Sequence, residues 1–270
     1  MARRSSSVVT LDQAQAQFEM WPEPIRGMSN AIARSALYRV GHPREPRLQL
    51  KRELITSLAN YNITYTGEEL RQDDHDVFLQ IVHLARTQPL GTPVRFTAHS
   101  MLTELGWTIN SESYERLRNS IDRHKASALT VAMNDGSQGY SGSLIRTFKW
   151  SEGGTPLQRW EILLEPEILA LYSATSWTRV EWKMRLGLPP LAKWLHGFYS
   201  THQMPFPYSV TKIHELCGTR TVQIRQFRYK LRQALELLVE RGFFADAKIE
   251  TRSDLVHVER SRRALIGAEG

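Results

Sequence analysis

Between Arg220 and Gln233 the sequence sets Arg, Gln and Tyr side chains at spacings that a helix would gather on one face. Ile224, Phe227, Leu231, Ala234, Leu235 and Leu238 recur at the intervals of a core-facing helical stripe. Arg225, Gln226, Tyr229 and Gln233 then point away from that stripe, with Gln223, Lys230 and Arg232 on its flanks. A guanidinium can fork onto N7 and O6 of guanine, and a carboxamide onto N6 and N7 of adenine, so this face holds the donors that major-groove readout requires. The start of such a helix is the part that meets base edges, which selects Arg220, Gln223, Arg225, Gln226 and Tyr229 as candidate base readers. Lys230 and Arg232 are candidate contacts to the sugar-phosphate backbone. A solvated basic face would carry the same residue types, and for any single exposed Arg that alternative stands level. Clustering at the start of the helix favours reading.

A second, poorer set lies upstream. Arg116, Asn119 and Arg123 fall on the outward side of a helix whose inner face is Tyr114, Leu117 and Ile121. With few bidentate amides among them, they are assigned to phosphate contact, although an ordinary charged surface fits nearly as well. Arg146 and Lys149, and later Lys248, Arg252, Arg260, Arg262 and Arg263, lie in or beside alternating segments that read as hairpins. Cations there are expected to reach flanking phosphates and add affinity without sequence discrimination.

Enzymatic constellations are thin. GxxxxGK[ST] and HExxH are both missing, and no two His residues lie two apart, which argues against an ATPase, a zinc protease and a metal-dependent nickase. Asp73-Asp74-His75-Asp76 immediately precedes an apolar-periodic helix, where carboxylates cap free N–H groups and favour the dipole; capping is preferred to metal binding. Cys217, the single cysteine, allows no internal disulfide and no multi-cysteine zinc site, and its place beside Gly218 suits packing. Trp150, Trp160, Trp177, Trp182 and Trp194 are read as core and junction residues. The expectation is a non-enzyme with no cofactor.

The elements that would position these residues repeat. Residues 1–46, rich in Arg, Ser, Gln and Pro, read as a flexible N-terminal arm. Ile63–Tyr65 alternates as a strand, and Val77–Ala85 is helical until Pro89. A short helix at His99–Leu105 stops at Gly106, a turn at Thr108–Ser111 leads into the Tyr114–Ile121 helix, and Leu129–Met133 with Leu144–Trp150 form an expected hairpin. The second half follows the same order: a helix at Leu191–His202, a short one at Ser209–Leu216, a long one at Thr221–Arg241, and strands near Phe243–Glu250 and Leu255–Arg260. Between the halves, Trp160–Tyr172 reads as a strand leading into a helix and Trp177–Leu188 as a connection. The expected fold is therefore α+β, two tandem winged-helix domains at 47–155 and 156–262, after the arm and before a tail at 263–270. The first is expected to grip backbone and support dimerisation, the second to read sequence.

Composition agrees with a polyanionic partner. Lys and Arg number 35 against 28 Asp and Glu, a formal charge of +7 over 270 residues. The longest apolar runs fall well short of a membrane span, and the basic start Met1–Ser7 lacks the apolar stretch of a secretory signal, so a cytoplasmic, membrane-free protein is expected.

Several long runs are more specific than any helix-turn-helix pattern. Ala33–Tyr38, Ile63–Arg71, Leu105–Asn110, Thr178–Lys183, Tyr199–His202, the Leu216-Cys217-Gly218 corner and Asp254–His257 closely resemble the TrfA family of plasmid replication initiators, with likeness from Trp21 to about Val258. The resemblance implies two winged-helix domains on directly repeated iterons of double-stranded origin DNA. It also implies opening of adjacent AT-rich DNA, recruitment of the host helicase, initiator and sliding clamp, and an inactive dimer in equilibrium with a DNA-binding monomer. TrfA-like proteins carry a glutamine-led clamp motif upstream of their Trp-Pro. Here Gln13 and Phe18 match its ends while Ala16 stands where Leu is expected. A dimeric winged-helix repressor is the alternative reading, and an origin nickase a more distant one. A two-fold dimer reads inverted half-sites, so tandem repeats beside the gene separate initiator from repressor.

Overall fold

The computed structural model describes residues 18, 20–42, 45–58, 61–89, 91–133, 139–150, 159–172 and 176–261. Apolar side chains collect in two clusters, one drawn from Phe18 to Trp182 and the other from Leu188 to Val256. The break between units therefore falls near residue 187 and not at 155/156, because the strand expected to open the second domain is buried in the first core.

In the first unit the chain runs β1 (Ile25–Ser29), α1 (Asn30–Ala33), β2 (Tyr38–Arg39), β3 (Gln49–Ile55), β4 (Tyr61–Glu68), β5 (Leu70–Arg71) and α2 (Gln72–Ala85). It continues through β6 (Val94–Thr97), α3 (Ala98–Glu104), α4 (Ser111–Lys125), β7 (Ala128–Met133), β8 (Gly139–Gly142), β9 (Ile145–Trp150) and β10 (Arg159–Leu164). A 3-10 turn at Pro166–Tyr172, β11 (Trp177–Glu181) and α5 (Trp182–Leu186) complete it. The second unit holds α6 (Pro190–Ser200), β12 (Tyr208–Ser209), α7 (Val210–Leu216), α8 (Ile224–Glu240), β13 (Phe244–Ile249) and β14 (Leu255–Arg260).

Both units thus mix helices with small sheets, and their plans match. Each passes from a helix to a strand, a short helix, a longer helix and two further strands, and the sheets have equivalent orders, β6-β10-β9 and β12-β14-β13. The short helices are capped alike: Thr97 accepts from Ser100 N at 3.0 Å and Ser209 from Lys212 N at 3.1 Å. Both end in a left-handed glycine, Gly106 (φ 67°) and Gly218 (φ 62°), a conformation that a Cβ would strain. A four-stranded sheet, β3-β4-β7-β8, is inserted into the first plan only.

That insertion corrects the expected hairpin. Strand β7 pairs with β4 and β8, whereas β9 pairs with β10, so Leu129–Met133 and Leu144–Trp150 belong to different sheets. Alternation marks each strand without naming its partner.

The N-terminal segment is not an arm over its described part. Strand β1 pairs antiparallel with β11, β2 pairs parallel with β5, and Trp21, Met28, Ile32, Leu37 and Tyr38 are buried. Trp21 Nε1 donates to His83 Nδ1 at 2.9 Å, and the other ring nitrogen of His83 donates to Glu23 at 3.1 Å. Phe18 packs edge-on against Tyr172, 5.1 Å between centroids. Its ring belongs to the core, which removes it from the expected clamp motif; Gln13 lies outside the described residues, as does the 263–270 tail.

Helix α2 is buried almost all round, polar positions included. Buried polar groups cost free energy unless paired, and here Gln72, Asp74, Asp76, Gln80 and His83 each find a distant partner. Gln80 accepts from Arg26 Nε at 2.7 Å, and Gln72 Nε2 donates to Tyr38 O at 2.6 Å. Asp76 accepts from Arg185 Nε at 2.7 Å and also binds Lys193, tying α2 to α5 and α6. Arg34 reaches Thr201, and Val40 N donates to Cys217 O at 2.9 Å, so the segment after α1 fastens the two units together.

Candidate nucleic-acid interface

The stripe expected on the long helix is present: Phe227, Leu231, Ala234, Leu235 and Leu238 are buried on α8. Ile224 departs from it and is 37% exposed, because the helix begins at this residue and its first turn overhangs the core. The turn from α7 to α8 is held from both sides. His214 Nε2 donates to Thr221 O at 2.7 Å while its ring packs edge-on against Phe227. Arg220 donates to Glu45 Oε2 at 3.1 Å and to Pro46 O at 2.9 Å. Immediately after these anchors Val222 is 95% exposed.

Gln223, Arg225, Gln226, Tyr229, Lys230 and Arg232 are exposed, as the helical phase requires. They do not all line one groove. Gln223, Gln226, Lys230 and Gln233 line an open groove of about 980 Å³ between α8, the start of α6 and the Val40–Glu45 loop. Arg225, Tyr229 and Arg232 are outside that lining, and Gln233 Nε2 donates to Tyr229 OH at 3.0 Å across the ridge. One Arg of α8 is committed internally: Arg228 forks onto Asp254 at 2.9 and 2.8 Å. Asp254 has a left-handed φ of 57° at the β13–β14 turn, so this ion pair orients the hairpin against the helix.

On α4 two of the cations, Arg116 and Arg123, are engaged inside the unit, while Arg118 and Lys125 are exposed with no acid partner among the described residues. Arg123, half-buried, donates twice to Asp74 Oδ1, at 3.1 and 2.8 Å, so the side chain expected at phosphate is engaged inside the unit. Arg116 donates to Asp73 Oδ2 at 3.0 Å and lies over Trp107, 3.9 Å from guanidinium to ring centroid. Asn119 is exposed beside Glu115 and Asp122. In the following hairpin Arg146 is exposed, while Lys149 shares Glu161 with Arg95. In the later hairpin Lys248 and Arg252 are exposed. Arg260 instead turns inward, donating to Tyr199 O at 2.7 Å and stacking on Phe243. Arg262 and Arg263 lie outside the described residues.

The acids that hold α4 have their own structural task. Asp74 accepts from Arg71 N at 2.8 Å at the start of α2, as the capping reading expects, and from Arg47 Nη1 at 2.6 Å. Burial opposes its ionisation, but Arg123 and Arg47 more than offset that and hold its carboxyl below the usual range. Burial keeps nearby His75 neutral, its pKa well below the ordinary value, and lowers His124 to about 4. Cys217 is fully buried and its thiol is pushed up to about 12 by burial, which suits packing and not nucleophilic attack. Trp160, Trp182 and Trp194 are buried and Trp177 half-buried; Trp150 stays exposed under Arg118, 4.1 Å away.

The fold is that of a mixed α/β protein built on one helix-and-hairpin plan used twice. Two crystal structures of RctB domains 2 and 3 share it, one with a TM-score of 0.54 at 13% identity over 82% of this chain and 94% of that one. The other has a TM-score of 0.55 at 13% identity over 86% and 97%. At the level of sequence the chain belongs to the TrfA protein family, whose model matches residues 7–260. It is 30% identical over 242 residues to the plasmid replication initiator protein TrfA of Escherichia coli, covering 89% of this chain and 63% of that protein's length.

Proposed function

We propose that this chain is a non-enzymatic plasmid replication initiator whose two units act as tandem winged-helix domains on origin DNA. The observation that carries this is the outward side of α8, where Arg225 and Arg232 have no acid partner among the described residues and stand beside exposed Gln223, Gln226 and Tyr229. In a TrfA-family chain of formal charge +7, such a surface fits the major groove. The helix reads each direct repeat, the β13–β14 hairpin follows the phosphates through Lys248 and Arg252, and Arg146 of the first unit adds a distant backbone contact.

Occupied repeats would bring the neighbouring AT-rich DNA within reach of opening and recruit the host helicase, initiator and sliding clamp in the cytoplasm, with a dimer as the reserve form. No helix of the described residues is long and apolar enough to cross a membrane. Footprinting on the DNA beside the gene tests the reading. Protection of several direct repeats spaced by about two helical turns is expected. A single protected palindrome would make the chain a repressor, and strand scission of supercoiled origin plasmid with a divalent metal would make it a nickase.

A further inference from the structure

Val222 is the most exposed large apolar side chain among the described residues, and it sits where the proposed reading surface begins. Its position is fixed. The carbonyl of Thr221 is bound by His214, the side chain of Arg220 is bound by the Glu45–Pro46 segment, and on the other side Gln223 O accepts Phe227 N at 3.0 Å in the first bond of α8. A β-branched side chain held outward in this way cannot fold back onto the core, so its two methyls stay in water in the free protein. The candidate readers that follow it, Gln223, Arg225 and Gln226, offer only polar donors and acceptors. One feature of the major groove cannot be read by such groups: the C5-methyl of thymine, which is recognised by apolar contact.

We propose that Val222 is a specificity-determining residue that packs against a thymine C5-methyl in each repeat. The proposal rests on α8 being the base-reading helix and adds which base edge the corner before it selects. Its pinned backbone means that the contact costs little ordering on binding, so the methyl pair contributes close to its full transfer value.

The test uses the full chain and a duplex selected by it from a random-sequence pool. Each thymine is replaced in turn by deoxyuridine, which removes only the methyl, and affinity is measured for the wild type, Val222→Ser and Arg225→Ala. At one thymine per repeat the wild type is expected to lose about fourfold, the value of one buried methyl. Val222→Ser should be indifferent to that same replacement, while its thermal midpoint stays that of the wild type because the side chain is exposed. Uridine at every thymine without effect on the wild type, or a penalty that persists undiminished in Val222→Ser, would overturn the proposal. Arg225→Ala separates this from the parent reading: selective loss on the selected duplex keeps α8 as the reader even where the uridine result fails, and equal loss on a scrambled duplex removes both.

Discussion

Helices α4 and α8 hold the same place in two copies of one plan, yet their charges have different fates. On α4, Arg116 and Arg123 are paired with Asp73 and Asp74 at the start of α2, and Glu112 and Glu115 stand in the first turns, where they would repel phosphate. On α8 the acids Glu236 and Glu240 come only in the last turns, and Arg225 and Arg232 have no acid partner among the described residues. A cation that neutralises its own scaffold offers stability and little free charge, as Arg116 and Arg123 do; one that faces water, as Arg225 and Arg232 do, is free to contact phosphates and bases. Under the proposed function, this contrast favours α8 over α4 as the helix that reads DNA.

The largest expected effect breaks the first half of that comparison. Arg123→Ala leaves Asp74 buried with only Arg47 as a charged partner, and should cost roughly 3 kcal/mol of stability in urea unfolding. Its salt dependence of DNA binding should stay that of the wild type; a reduced slope would return Arg123 to the phosphate contacts.

Acid should affect both units, which separates it from the Arg123 effect. His83 and His124 in the first unit have folded pKa values of about 4, lowered chiefly by burial, and His75, His196 and His202 are lowered too. These groups take up protons first in the unfolded chain. Their neutral burial is therefore fully compatible with folding above pH 6.5 and is penalised as pH falls from there toward 4. For a deeply buried ring such as His124 the loss is on the order of a few kcal/mol. The thermal midpoint should fall steadily across that window; a flat profile would contradict the neutral histidines.

The smallest effect concerns single charges at the surface. Arg232→Ala should lower the slope of log K against log salt by about 0.9 with unchanged base preference, and Arg116→Ala by less, because Asp73 already offsets that charge. Equal slopes for the two variants would erase the distinction between the helices.

Much of the second unit was legible because its signals are local. The α8 stripe, the short α7 and the Cys217-Gly218 corner follow from spacing and backbone chemistry within a few residues of one another. The first unit hid its plan, since a long-range inserted sheet separates α4 from its own hairpin and β9 finds β10 across residues 151–158. Composition misjudged the N-terminal segment for a related reason. Its Arg and Ser residues suggest solvent, but Arg26 is buried against Gln80 and Trp182, and Ser35 donates to Ile32 O. Arg123 likewise has the outward phase of a phosphate contact, and only the fold shows Asp74 beneath it.

The measurement that tests the central claim most directly is binding of Arg225→Ala and Gln226→Ala to the selected repeat and to a scrambled duplex at one fixed salt concentration. If α8 reads bases, each variant should lose roughly 1–3 kcal/mol on the repeat and far less on scrambled DNA, with relaxed preference at one base position. Equal losses on both duplexes would mean that these side chains meet only phosphate, and the division of labour between α4 and α8 would then be wrong.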